Sequence, residues 1–200
     1  MFCLTCATHP SWAEGAVNAL DEILVDHAHC EMKAATMAMS LAGRLHDRPR
    51  VVRRLVELAK EELDHFDRVL DALETRGLAL GTPPVDTYAA ELRKRASATV
   101  RGAHGFFGPI DKLCVGAIIE ARSCERFKLL AGALGERGLR KEEAFYRELM
   151  TSEAKHYTLL RGLAIEATGD EARVDARLAE LARLEGEIVE SLAGEATIHG

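Results

Sequence analysis

Apolar residues recur at helical spacing along most of this chain. Leu55, Leu58, Ala59, Phe66, Val69 and Leu73 fall on one stripe; so do Leu113, Gly116, Ala117, Phe127 and Leu130, and again Leu149, Met150, Tyr157 and Leu160. Spacing of three and four residues marks one face of an α-helix turned toward a core. Punctuation between the stripes sets the elements. A first helix is expected from about Trp12 to Leu45, and Asp47 with Pro49 reads as the opening of a second that runs to about Arg76, where Gly77 is a natural stop. Gly81-Thr-Pro-Pro-Val-Asp86 reads as a loop whose Asp86 caps a shorter helix, Thr87 to about Ala98. A third long helix is expected from about Ile110 to Leu134 and a fourth from about Leu139 to Ala167. Thr168-Gly-Asp170 then opens a last one, Glu171 to about Leu192. The pattern predicts an all-α protein: two helical hairpins joined by a long crossover into a four-helix bundle, residues about 12–167, with an accessory C-terminal helix over about 171–192 in one 200-residue domain.

Each stripe is interrupted by charge. Glu62 and His65 sit inside the Leu55–Leu73 stripe, Glu120 inside the Leu113–Leu130 stripe, and Glu153 and His156 inside the Leu149–Leu160 stripe. Glu31 is flanked on its own face by Ala34, Ala35 and Ala38. Buried carboxylates are costly unless paired or bound to a cation. The order is the same twice, a single Glu followed after nearly the same interval by Glu-x-x-His: Glu31 then Glu62-x-x-His65, Glu120 then Glu153-x-x-His156. Residues three apart share a helix face, and this set in a four-helix bundle is that of a carboxylate-bridged di-iron centre. Asp26-x-x-His29 has the same spacing, and His27 lies one turn before Glu31, so both stand as alternatives in the first helix. Arg122 and Glu125 are open to a role beside the site, toward a substrate, or as a surface pair. A bundle whose polar layers are salt bridges only is the non-catalytic alternative.

Composition narrows the rest. With 48% hydrophobic residues the chain can bury a core unaided. No apolar run is long enough for a membrane span, and no basic segment leads into an apolar one at the N-terminus; a cytoplasmic protein is expected. Five cysteines are an odd number for a disulfide framework. Cys30 and Cys124 are expected beside the site as small packing residues, and Cys3-x-x-Cys6 has no second pair to complete a metal site. Net charge is −6, yet basic residues cluster at Arg44, Arg48, Arg50, Arg53 and Arg54 and in the crossover at Arg93, Lys94, Arg95 and Arg101. A basic patch on an acidic protein can bind phosphates locally.

Four segments are similar to one family. Leu24-Val-Asp-His-Ala-His-Cys-Glu31-Met-Lys-Ala-Ala35, Glu61-Glu-Leu-Asp-His-Phe66, Ile119-Glu-Ala-Arg-Ser-Cys-Glu-Arg-Phe127 and Ser152-Glu-Ala-Lys-His156 resemble the tRNA 2-methylthio-N6-isopentenyladenosine hydroxylases (MiaE), in order over roughly residues 20–165. The resemblance implies a ferritin-like, non-haem di-iron monooxygenase that uses O₂ and electrons to hydroxylate the isopentenyl group of the modified adenosine beside the anticodon. Its ligands to two irons would be Glu31, Glu62, His65, Glu120, Glu153 and His156, with Glu62 and Glu153 bridging. Arg93, Lys94, Arg95 and Arg101 would meet the tRNA. No flavin- or nicotinamide-binding motif is present, which implies an external electron-donor system. The alternative enzymatic reading is a ferritin-like iron oxidase or peroxidase, which needs no basic surface.

Overall fold

In a computed structural model, residues 2–106, 108–192 and Ile198 are described. Among them are seven helices and no strand: α1 (Ser11–Asn18), α2 (Leu20–Arg44), α3 (Pro49–Thr75), α4 (Thr87–Thr99), α5 (Pro109–Glu136), α6 (Arg140–Thr168) and α7 (Glu171–Ser191). Short turns make α2–α3 and α5–α6 antiparallel hairpins, and these two pairings are the most extensive in the fold. The elements and their order follow the expectation from sequence, with boundaries within a few residues. Gly77 (φ 71°) and Gly169 (φ 69°) stop α3 and α6 in the left-handed region that glycine enters without strain. Asp86 and Asp170 cap α4 and α7 by accepting the backbone N–H of Ala89 and Arg173, each at 3.0 Å.

One expectation is corrected. The first helix is not continuous from Trp12 to Leu45; it breaks at Ala19 (φ −109°, ψ 36°). Backbone bonding continues across the break, Ala19 N–H to Gly15 O at 3.0 Å and Ile23 N–H to Ala19 O at 2.9 Å, so the chain changes direction without losing its ladder. The cause is packing: α1 turns its buried Trp12 and Ala16 toward α5, while α2 lies along α3.

The apolar interior falls into two clusters. One holds Leu41, Leu55, Leu58, Leu113, Ile118, Leu160 and Leu163; the other holds Leu24, Val69, Leu73, Phe127, Leu130, Tyr146 and Leu149. On every bundle helix the change from one cluster to the other falls at the charged residues: Glu31 on α2, Glu62 and His65 on α3, Glu120 on α5, Glu153 and His156 on α6. Antiparallel hairpins therefore bring the six to one level between two apolar plugs.

Helices α4 and α7 are fastened to the bundle by buried charge. Arg122 on α5 is wholly buried and donates from Nε (2.6 Å) and Nη2 (2.8 Å) to the two carboxylate oxygens of Glu185 on α7. Tyr88 on α4 donates to the same Glu185 at 3.0 Å. Reciprocally, Arg177 on α7 donates to both oxygens of Asp111 on α5 (2.8 and 3.0 Å) and to the Ala96 carbonyl of α4 at 2.9 Å. Arg122 also bonds Glu125, Thr8 and the Cys6 carbonyl, so it pins the N-terminal segment as well. Arg122 and Glu125 are therefore neither a surface pair nor turned toward a substrate.

Removing one member of a buried pair strands the other. Glu185→Ala is expected to lower stability by about 3–5 kcal/mol in urea unfolding, and the Arg122→Met, Glu185→Leu double variant to recover most of it.

Candidate metal centre

Glu31, Glu62, His65, Glu120, Glu153 and His156 are all buried, each at most 5% exposed. Their donor atoms form two groups, Glu31, Glu62, His65 and Glu153, and Glu62, Glu120 and His156, with the atoms of each group within 4.8 Å of one another. Glu62 belongs to both. Its Oε2 lies 3.5 Å from His65 Nδ1 and its Oε1 lies 3.2 Å from His156 Nδ1. Glu153 is arranged in the same way, Oε1 3.9 Å from His65 Nδ1 and Oε2 3.9 Å from His156 Nδ1. Two carboxylates thus span the two imidazoles, while Glu31 stands at the His65 side (3.6 Å) and Glu120 is grouped with His156.

The donor atoms at the centre are not satisfied by one another. Among the described residues, His65 Nδ1, His156 Nδ1, Glu62 Oε1 and Glu153 Oε1 are buried and without a hydrogen-bond partner. Orphaned buried polar atoms are rare in folded proteins. Four of them converging on one small volume fit a pair of cations, and the set of four carboxylates and two imidazoles suits metals that accept both oxygen and nitrogen.

Neighbouring groups orient the cluster. Glu61, next to Glu62 on α3, holds His156 by its outer nitrogen, Nε2 to Glu61 Oε2 at 3.1 Å. His27 is wholly buried against the rings of Phe127 and Tyr146 and meets Glu31 Oε1 at 2.7 Å through Nε2. Such outer contacts fix ring orientation and tautomer. Asp26 and His29 join neither donor group; Asp26 instead accepts the backbone N–H of Ile198 at 2.6 Å, whose carbonyl accepts from Arg126 at 2.8 Å. Cys30 lines the cavity at the site, Cys124 is buried, and all five cysteines are free thiols.

A cavity of about 50 Å³ opens on the cluster, with Phe127 and Ile198 among its apolar walls and Lys33, Met37, Arg93 and Ile119 toward its outer side. Of the crossover basic residues, Arg93 alone lines it. Lys94 pairs with Glu91 at 3.1 Å, Arg95 pairs with Glu91 at 3.0 Å and with Glu187 of α7 at 3.1 Å, and Arg101 is exposed beyond the end of α4. Successive residues on a helix point about 100° apart, so a run of three basic residues cannot share one face. The cluster of Arg44, Arg48, Arg50, Arg53 and Arg54 surrounds the α2–α3 turn, with Arg54 paired to Glu57 at 3.3 Å.

The family model for tRNA-(MS[2]IO[6]A)-hydroxylase (MiaE) matches residues 1–200. The chain belongs to this family. Its MiaE relatives include the tRNA 2-(methylsulfanyl)-N(6)-isopentenyladenosine(37) hydroxylase of Pseudomonas putida, 39% identical over 98% of this chain and 91% of that protein. The hydroxylase of the same name from Salmonella typhimurium is 30% identical over 98% of this chain and 87% of that protein. Among solved structures, a Synechococcus protein with aldehyde deformylating oxygenase activity superimposes with a TM-score of 0.87 at 32% identity, covering 100% of this chain and 96% of that one. The fold is the ferritin-like helical fold, and the MiaE family is one of hydroxylases. Among the described residues, no helix is long and apolar enough to cross a membrane.

The protonation of the cluster follows from its crowding. Burial raises Glu120 to about 7, and burial together with the Glu120 charge pushes Glu153 well above the usual carboxylate range. Burial disfavours charged imidazole, yet the Glu31 and Glu62 carboxylates lift His65 to about 10, and Glu62 lifts His156 to about 9. Burial also opposes ionisation of Glu31, but its hydrogen bond to His27 and the nearby His65 hold it well below the usual range. Groups raised in the folded state contribute stability that is full below their unfolded values and is lost as pH rises through the folded ones. Glu31 is depressed and stays ionised across that window. The metal-free protein is therefore expected to melt at a lower temperature at about pH 9 than at about pH 6. A divalent cation, which needs these groups deprotonated, is expected to restore stability most at the higher pH. Differential scanning calorimetry in chelator and in added metal measures both; melting temperatures that do not change with pH would contradict the charge arrangement.

Proposed function

We propose that this chain is a di-iron monooxygenase that hydroxylates the isopentenyl group of 2-methylthio-N6-isopentenyladenosine in tRNA, next to the anticodon. The observation that carries the reading is the pair of carboxylates, Glu62 and Glu153, each directing one oxygen toward each of the two histidines. In this reading two irons would be held by these six residues, one by Glu31 and His65 and the other by Glu120 and His156, with Glu62 and Glu153 serving both. A bound iron pair supplies the redox chemistry by which one atom of O₂ enters a C–H bond and the other leaves as water, with two electrons and two protons drawn from an external donor system.

The protein's own part is to place and protect that chemistry. Apolar plugs on either side of the cluster keep bulk water from the reacting volume. The cavity wall of Phe127 and Ile198 offers a short aliphatic group an apolar surface beside the carboxylates. Glu61 and His27 hold His156 and Glu31 in orientation. Arg93, beside the cavity, is the basic residue best placed for an RNA phosphate; Lys94, Arg95 and Arg101 would act farther out. A substrate larger than iron itself accounts for a cavity with an arginine at its outer side, and a plain iron oxidase does not require one. A tRNA substrate supports a cytoplasmic site of action.

Glu62→Ala and His156→Ala are each expected to lose most of the iron measured by metal analysis while remaining helical by circular dichroism. Full iron content in both variants would remove the ligand assignment. Incubation of the reduced wild-type protein with prenylated tRNA and O₂ is expected to give an adenosine heavier by one oxygen atom in nucleoside mass spectrometry. Iron without that product would transfer the protein to another di-iron oxidation.

A further inference from the structure

A second cavity, of about 350 Å³, lies in the seam between α2, α4 and α5. Met37, Arg93 and Ile119 line both it and the smaller cavity at the carboxylate–imidazole cluster. The two differ in size and in character. Fifty cubic ångströms give room for about three or four water-sized groups, enough for the end of a short branched aliphatic chain and too little for a purine. The outer space is of the size that holds small organic ligands, and Thr36, Ser40 and Ser97 give it hydroxyls beside Leu41 and Val115. Its charged residues are Arg93, Lys112 and Asp111, and Asp111 is committed to Arg177 at 2.8 and 3.0 Å. The outer cavity is therefore positive at its edge.

Met37 stands at the junction. A Cβ on Gly116 would meet Met37 Cε at 3.1 Å, Met37 Sδ at 3.4 Å and Leu160 Cδ1 at 3.2 Å, so the bare glycine gives the thioether its seat. Gly116 is one helical turn before Glu120, which sets the junction one turn from the cluster. Methionine is unbranched and flexible, and it can move aside for a chain of matching width. The N-terminus of α4 is held over α2 by Lys33, which donates to the capping Asp86 at 3.0 Å, so the seam has a fixed roof.

Resting on the hydroxylase reading above, we propose that this seam is a two-compartment nucleotide site. The purine sits in the outer cavity, Arg93 and Lys112 hold its flanking phosphates, and the prenyl tail passes Met37 and Ile119 to reach the cluster. Met37 is then the residue that sets which N6 substituents are admitted. The two sources of affinity are separable, because burial of the tail is insensitive to salt and phosphate contacts are not.

The test uses anticodon stem-loop RNAs carrying either N6-isopentenyladenosine or unmodified adenosine, with binding to the iron-loaded protein, without reductant so that no turnover occurs, measured by fluorescence anisotropy over a range of salt. The wild-type protein is expected to prefer the prenylated RNA by about tenfold or more. Met37→Trp, which fills the junction, is expected to abolish that preference and leave affinity for the unmodified RNA; Met37→Phe is expected to reduce it partway. Met37→Ala is expected to improve relative binding of an RNA with a doubled prenyl chain. Arg93→Ala and Lys112→Ala are expected to weaken both RNAs by the same factor, each reducing the salt slope by about one. A prenyl preference that survives both Met37→Trp and Met37→Phe, or salt slopes unchanged in Arg93→Ala and Lys112→Ala, overturns the two-compartment site; product formation by the iron-loaded wild type would then still stand for the hydroxylase reading. A wild type that neither distinguishes the RNAs nor yields the hydroxylated nucleoside overturns both.

Discussion

Six ionisable side chains packed at one level in the core are the constraint around which this structure is organised. Four carboxylates and two imidazoles taken out of water would oppose folding unless something compensates them. Their mutual contacts do so only in part, since the inward nitrogens of both histidines and one oxygen each of Glu62 and Glu153 have no hydrogen-bond partner among the described residues. Each bundle helix must therefore deliver its charged residue at the same height, with apolar residues above and below to hold it there. The two apolar clusters, the antiparallel hairpins and the spacing of Glu31 from Glu62 and of Glu120 from Glu153 are consequences of that requirement.

A second set of buried charges has a different purpose. Arg122 with Glu185 and Arg177 with Asp111 are complete pairs, with partners for most of their donors, and they join α5 to α7 while Tyr88 and the Ala96 carbonyl bring in α4. These contacts fix α4 over the α2–α5 seam. The position of α4 decides the shape of the space that leads to the cluster, so the buried pairs act on the site through the roof they hold. The contrast is informative: the paired charges of α5 and α7 build scaffold, while the cluster keeps buried donor atoms without a hydrogen-bond partner among the described residues.

Between these two systems lie two cavities that share Met37, Arg93 and Ile119, a small one beside the carboxylates and a wider one with hydroxyls and basic residues in its wall. That gradient suits a substrate whose reacting part is a short hydrocarbon and whose remainder is polar and anionic. A prenylated nucleotide in RNA has this division, and membership of the MiaE family points to the same substrate independently of the cavity.

Much of this was legible in the sequence, for a definite reason. Helical periodicity is a local property, and a Glu-x-x-His inside an apolar stripe is visible because residues three apart must share a face whatever the fold around them. Most of the helices, the hairpin order and the two Glu-x-x-His pairs could be read in this way, while in the first helix Glu31 stood beside Asp26, His27 and His29 as alternatives. What depends on contacts distant along the chain could not. The break at Ala19 follows from α1 finding its partner in α5, and Glu61 reaches His156 from another helix, 95 residues away. Arg122 looks like a surface residue until Glu185 arrives from α7. Ile198 enters the cavity wall because Asp26 and Arg126 hold its backbone, and the run Arg93-Lys94-Arg95 divides between the cavity and α7 only when α4 is set in place. Periodicity determined which residues face inward; tertiary packing alone decided which of them meet, because that depends on helices whose mutual positions no local pattern encodes.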